Sequence, residues 1–259
     1  MIDSHCHLAD EAFATDADAV IDRARTAGLT HLLCILECGN QEEEERARRL
    51  GAYWPEMRSA VGVHPHIAGR FAGRIDEVVD IVRNQIGRTP SVRAVGEIGL
   101  DYHYDLSPRD VQRDVFAAQV RVAAELGLPV VIHTREADED TVRILRDEGR
   151  GTVRGVMHCF TGDEAMARRS LDLDFYLSFA GIVTFPKAAS LRETARMVPA
   201  NRLLIETDAP YLAPVPNRGK RNEPAWVFNV LQTLTDVRGT TSSELADQVT
   251  HNFVRLFNP

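Results

Sequence analysis

Eight short apolar, β-branched runs punctuate this chain at near-regular intervals, each followed by a stretch with helical periodicity. The runs are MIDSH, HLLCIL, RSAVGVH, RAVGEIGL, PVVIH, RGVMHCF, FYLSFAG and RLLIET. Their mean spacing is roughly 29 residues, close to one βα unit. Eight such units within 259 residues predict an α/β fold, a (β/α)8 TIM barrel, as one domain over 1–259. A doubly wound sheet is the competing architecture. It usually shows a Gly-rich turn after its first strand, where this chain has HCHLADEAF. No linker, low-complexity segment or short repeat divides the chain.

The clearest helix pattern runs from Ser107 to Leu126. Ser107 is placed to cap it, Pro108 to open it, and Asp110 completes an S-x-x-D start. Val111, Val115, Ala118, Val122 and Leu126 then fall on one face, and Gly127 supplies a stop. QEEEERARRL reads as a solvated helix face, with Glu45 and Arg49 paired one turn apart.

The chain is 44% hydrophobic and 26% charged, enough for a core without disulfide staples. Its cysteines, Cys6, Cys34, Cys38 and Cys159, are scattered, and MIDSH opens without a basic or apolar leader pattern. The expectation is a reduced, cytoplasmic protein. No apolar run approaches the about 18 residues of a membrane helix, so no membrane association is expected, and no obligate protein partner is evident. The net charge of −8 argues against a general nucleic-acid binder with a basic footprint. Divalent cations in one cleft would reverse that sign locally.

The polar residues sit on the runs in a telling way. His5 and His7 close the first, His64 and His66 follow the third, Glu97 lies at the end of the fourth, His133 closes the fifth, His158 the sixth, and Asp208 the eighth. Strand alternation puts His5 and His7 on one face, with Cys6 turned away. In a barrel the carboxyl ends of the strands meet at one mouth, where active sites lie. His31 opens the second run, at the opposite mouth, and takes no role. One histidine after a strand is ordinarily a hydrogen-bonded loop residue. Six imidazoles and carboxylates converging on one mouth would be costly unless paired or metal-bound. The donor set of N and O atoms suits two divalent ions, Mg²⁺, Mn²⁺ or Zn²⁺. Glu97 is the expected bridge, with His5, His7 and Asp208 on one ion and His133 and His158 on the other.

With those residues placed, MIDSHCHL, GVHPH, AVGEIGLDYHYD, PVVIHTREA, HCFTG, LLIETDAPYL and GKRNEP resemble the TatD family of metal-dependent hydrolases, in the family's order. The resemblance implies a (β/α)8 barrel, a metal-dependent deoxyribonuclease activity, in several members a 3′→5′ exonuclease, and the ligands His5, His7, Glu97, His133, His158 and Asp208. Pro186-Lys187 stands where many relatives have Lys-Asn, and His103 where an aromatic residue is common.

The expected chemistry is phosphodiester hydrolysis, with two ions activating water and Asp208 taking its proton. Glu97 and Asp208 are the candidate catalytic residues. His64, His66, Arg218, Lys220 and Arg221 are candidates for the phosphates of a single-stranded DNA substrate. Tyr102, Tyr104 and Tyr211 lie on strand-end loops where bases could stack; Phe160 reads as core. One rival is hydrolysis of a small molecule or an aminoacyl-nucleotide ester on the same barrel. Its usual carboxylated lysine has no counterpart, because the two lysines are Lys187 and Lys220. A non-catalytic module stabilised by metal is the other.

Overall fold

The computed structural model describes residues 1–258. Its strands are β1 (Ile2–Cys6), β2 (His31–Glu37), β3 (Met57–Gly62), β4 (Val92–Asp101), β5 (Val130–Arg135), β6 (Gly155–Met157), β7 (Tyr176–Phe179) and β8 (Leu203–Ile205). Neighbours pair in parallel in chain order from β1 to β8. Between them run α1 (Ala17–Thr26), α2 (Gln41–Tyr53), α3 (Ile75–Arg88), α4 (Arg109–Leu126), α5 (Asp138–Gly149), α6 (Glu164–Asp172) and α7 (Ala189–Met197). Two more helices, α8 (Val227–Arg238) and α9 (Ser242–Phe257), follow β8. The eight expected runs are the eight strands, and the architecture is a nearly closed TIM barrel. All four cysteines are free, and among the described residues no helix is long and apolar enough to cross a membrane.

The seam between β8 and β1 is closed largely by polar groups. The Asp208 N–H donates to His5 O at 2.9 Å and the His7 N–H to Ala209 O at 2.7 Å. Asp3, fully buried, accepts from the Thr207 N–H at 3.0 Å and the Thr207 hydroxyl at 2.6 Å. Because side chains i and i+2 share a strand face, closing the seam through Asp3 also fixes the side on which His5 emerges.

The helix expected from Ser107 starts two residues later, at Arg109. Ser107 is not its cap: its hydroxyl accepts from the Gly69 N–H at 2.9 Å and donates to His66 O at 3.0 Å, tying down the loop after β3. Gly127 ends α4 in the left-handed conformation, as its position suggested. The buried face is rotated from the expected one: Leu126 is exposed, while Gln112, Phe116 and Gln119 are buried. The two glutamines are inside because they serve backbone. Gln119 accepts from the Val63 N–H at 2.7 Å and donates to Val63 O at 3.0 Å. Gln112 accepts from the Asp101 N–H at 2.8 Å. Thus α4 holds the carboxyl ends of β3 and β4. On α2, Arg49 pairs with Asp18 of α1 at 2.7 Å and Glu45 with Arg48 at 3.1 Å, in place of the expected Glu45–Arg49 pair. A neighbouring helix offers Arg49 a carboxylate that the sequence pattern does not show.

Candidate metal centre

β4 runs on to Asp101, so Glu97 sits in the middle of its strand, not at the end. The strand can pass there because Gly99 lies against β5: a Cβ at this position, at φ 144°, would be 1.9 Å from His133 O. A side chain is therefore excluded at position 99, and the carboxylates of Glu97 and Asp101, four residues apart, leave the strand on the same face.

Glu97 is 5% exposed, and its two oxygens address two groups of imidazoles. Oε2 lies 3.4 Å from His5 Nε2 and 3.9 Å from His7 Nε2. Oε1 lies 2.8 Å from His158 Nε2, 2.9 Å from His133 Nδ1 and 3.3 Å from His64 Nε2. Asp208 completes the first group, with Oδ1 at 3.6 Å from His5 Nε2 and 3.5 Å from His7 Nε2. The His5 and His7 Nε2 atoms are 3.3 Å apart. The structure therefore brings all six expected ligands together and adds His64, assigned from sequence to substrate, to the second group.

These residues fit divalent ions. Ligands about 2.1 Å from a tetrahedral ion are about 3.4 Å from one another. The contacts among His5, His7, Glu97 and Asp208 span 3.3–3.9 Å, longer than good hydrogen bonds and right for ligand edges. His5 Nδ1 and Glu206 Oε2 are buried without a hydrogen-bond partner. Clustering buried imidazole nitrogens and carboxylate oxygens is expensive unless a cation satisfies them.

The electrostatics are those of mutual support. Burial opposes the Glu97 charge, but His158, His64 and His133 outweigh it and hold the carboxyl well below the usual range. Burial likewise opposes charging of His158, and Glu97 and Glu206 reverse this, lifting its pKa well above the ordinary value. His133 and His7 are raised against burial by Asp101 and Glu97 and by Asp208, respectively. Burial pushes His64 down to about 4, leaving a neutral imidazole at pH 7. Burial opposes ionisation of Asp208 too, yet His7, His5 and His158 lower its pKa. Asp208 adopts φ 57°, a left-handed conformation that Asp tolerates better than most residues.

Three carboxylates around the ligands escaped the sequence reading. Asp101, fully buried, accepts from His133 Nε2 at 3.0 Å and His66 Nε2 at 2.8 Å. Glu206 Oε1 lies 3.3 Å from His158 Nδ1 and accepts from the Cys159 N–H at 2.6 Å. Asp3 accepts from the His5 N–H at 3.2 Å. The signal for two of them was present: Glu97 and Asp101, and Glu206 and Asp208, are separated by even numbers of residues on or beside a strand.

The remaining expected residues are more scattered. His66 is held by Asp101 beside the second group. Arg221 grips Asp16 through two bonds, at 2.8 and 2.7 Å, and lies over the Phe13 ring, so its guanidinium is turned to the protein. Arg218 lies 3.7 Å from the Phe185 ring centroid. Lys220 stands in the same exposed loop, and Lys187 is exposed on another. His103 is held by Glu136 at 2.7 Å. Tyr102 donates to Asp140 at 2.7 Å and lies under Arg109, and Phe160 is buried. Tyr104 and Tyr211 are each 55% exposed, edge-on to His66 and His7. A cavity of about 320 Å³ adjoins His158, lined by Phe160, Thr161, Gly162, Thr134 and Arg135 among others.

A family model for TatD related DNase matches residues 2–258. An uncharacterized metal-dependent hydrolase of Bacillus subtilis, YabD, is 39% identical over 257 residues, covering 99% of this chain and 98% of that protein. The 3′-5′ ssDNA/RNA exonuclease TatD of Escherichia fergusonii is 34% identical over 262 residues, covering 99% and 98%. The crystal structure of YJJV, a TatD homolog from Escherichia coli, superposes with a TM-score of 0.89 at 28% identity, covering 100% and 98%. On this evidence the chain belongs to the TatD family of metal-dependent hydrolases.

Proposed function

We propose that this protein is a two-metal phosphodiesterase that removes nucleotides from the 3′ end of single-stranded DNA. The observation that carries the reading is the Glu97 carboxylate, whose separate oxygens face the His5–His7 group and the His64–His133–His158 group. One carboxylate shared by two ligand sets is what a pair of ions needs as a bridge. His5, His7, Glu97 and Asp208 would hold one ion, and Glu97, His133, His158 and His64 the other. Bound there, divalent ions supply Lewis-acid polarisation of a phosphoryl oxygen and a lowered pKa for water.

The residues do the rest. Asp208, held ionised at neutral pH, takes the proton as the water oxygen attacks phosphorus. The P–O3′ bond to the preceding nucleotide breaks, and that oxygen takes a proton at the open mouth. The products are a 5′-mononucleotide and a shortened strand. The cavity beside His158 is of a size to hold the terminal nucleotide, and Arg135 on its wall offers a fork to a phosphate. His66 stands beside the second group, Arg218 and Lys220 would meet the strand's phosphates from the exposed loop after β8, and Tyr104 and Tyr211 offer rings on which unpaired bases stack. Arg221 serves the loop by anchoring it to Asp16.

The test is a gel of single-stranded DNA labelled at its 5′ end, incubated with Mg²⁺ or Mn²⁺ beside a Glu97→Ala control. A metal-dependent ladder shrinking from the 3′ end, absent in the control, is the expected result. An intact strand with the cage shown occupied by elemental analysis overturns it in favour of a smaller ester substrate.

A further inference from the structure

At the far end of the barrel from the cage, a second cavity of about 350 Å³ opens where strands β5 to β8 begin. Arg154 stands just before β6, Arg202 just before β8, and Arg255 in the last turn of α9; all three line it. Its single lining carboxylate, Asp174, is already bound to Arg202, whose guanidinium also lies over the Tyr176 ring at 5.2 Å. Arg154 and Arg255 make no ion pair and no side-chain hydrogen bond among the described residues. Two guanidinium groups with no ion pair among the described residues thus share one cavity in a protein of net charge −8. Beside them, Arg93 near the start of β4 reaches to Asn258 O at 3.2 Å, bringing another cation with no ion pair among the described residues to the end of α9. The rest of the wall is largely apolar, including Leu128, Val153 and Leu256.

From this arrangement we infer a second ligand site, separate from the metal centre, for a phosphate ester that carries an apolar portion. The phosphate lies between Arg154 and Arg255, whose planar forks match its oxygens. Arg202 is fixed by Asp174 and Tyr176 as a third, immobile donor at the edge. The apolar portion lies against Leu128 and Leu256. The cavity volume falls at the lower end of small-molecule sites, enough for one nucleotide-sized group. The ligand chemistry has two sources, a free mononucleotide or the backbone of a strand, and the inference does not depend on the nuclease reading.

The experiment is calorimetric titration of the full, metal-loaded chain with dAMP and, separately, with a hydrolysis-resistant phosphorothioate decathymidylate, against an Arg154→Glu/Arg255→Glu double variant. Amide shifts of Gly127, Leu128 and Thr152 are followed in parallel by NMR. The double variant is expected to bind dAMP at least about tenfold more weakly, the loss expected from removing charge-assisted bonds, with its metal content unchanged. Loss of dAMP binding alone identifies a mononucleotide site. Equal loss for the decathymidylate, with a shallower salt dependence, identifies a strand contact. Equal binding of both probes by both proteins overturns the site. If the double variant does not fold, the wild-type amide shifts decide: none at these residues on saturation with either probe overturns it.

Discussion

Glu206 stands behind His158, its Oε1 3.3 Å from the ring Nδ1 while Nε2 points at Glu97 2.8 Å away. The same Glu206 oxygen accepts the Cys159 N–H, so ring and backbone are set by one buried carboxylate. Such a partner fixes the tautomer and orientation of a ligating imidazole and raises its basicity.

Replacing that partner is expected to weaken metal binding without unfolding the barrel. Glu206→Ala should lower Mn²⁺ affinity by about 10–100-fold, the range for outer partners of metal ligands. Glu206→Gln, which can still accept from the Cys159 N–H, should lose less. Calorimetric titration of Mn²⁺ into each protein measures this. Equal affinities in all three would mean that Glu206 serves only the backbone.

Metal affinity should fall on acidification, beginning above the pH at which ordinary histidines charge. Burial disfavours charging of His158, His133 and His7, but the surrounding carboxylates more than compensate and raise all three. An ion must displace those protons, so each step down in pH through their raised values strengthens the competitor. Binding should release protons at pH 7, visible as a buffer-dependent heat in calorimetry. A heat independent of the buffer's ionisation enthalpy, with affinity flat from pH 8 to 6, would contradict the proton-competition account.

Much of the site was legible because barrels expose strand ends at one mouth. His5, His7, His133, His158 and Asp208 each close or follow an apolar run, and these five candidate ligands follow from that placement. Glu97 was legible for a different reason than the one assumed: it lies within β4, and reaches the mouth because Gly99 lets the strand press against β5. What escaped was the layer behind the ligands. Asp101 and Glu206 adjoin stronger candidates, and a buried carboxylate looks the same in sequence as an exposed one. Gln112 and Gln119 escaped because the helical pattern counts them as polar, although they are buried to satisfy the backbone of β3 and β4 loops. The anchoring of Arg221 was not legible, since its bond to Asp16 spans 205 residues and has no local signature.

The barrel seam offers a stability test. Asp3→Ala leaves the Thr207 N–H and hydroxyl and the His5 N–H without their acceptor. An unsatisfied buried group costs about 1–3 kcal/mol, so urea unfolding should show a loss of a few kcal/mol at constant slope. Asp3→Asn keeps an acceptor and should lose less. The pair also has a pH signature. Burial pushes the Asp3 carboxyl up to about 8, against bonds from Thr207 that favour its charge. Between the unfolded value near 4 and about 8, the unfolded chain releases a proton that the native state keeps. The wild type should therefore lose stability relative to Asp3→Asn as pH rises through that window, and the difference should level off above it. A difference that stays constant from pH 5 to 8.5 would show that Asp3 is ionised in the fold throughout.

The cavity beside His158 makes the last prediction. Arg135 follows His133 by two residues on β5, so its side chain leaves the strand on the same face as that ligand. Its guanidinium lies over the Tyr104 ring at 4.7 Å and has no carboxylate partner among the described residues, so its forks are open to a phosphate. Arg135→Ala should raise KM for a single-stranded oligonucleotide by roughly tenfold, as loss of a charge-assisted contact implies, with kcat changed little. Arg135→Lys should recover part of it, a point charge replacing a fork. A minimal aryl phosphodiester has no flanking phosphate for Arg135 to hold, so its hydrolysis should not distinguish the three proteins. If Arg135→Ala instead lowers kcat for both substrates equally, the residue acts at the reacting phosphate itself, and the cavity is the leaving-group side of the site.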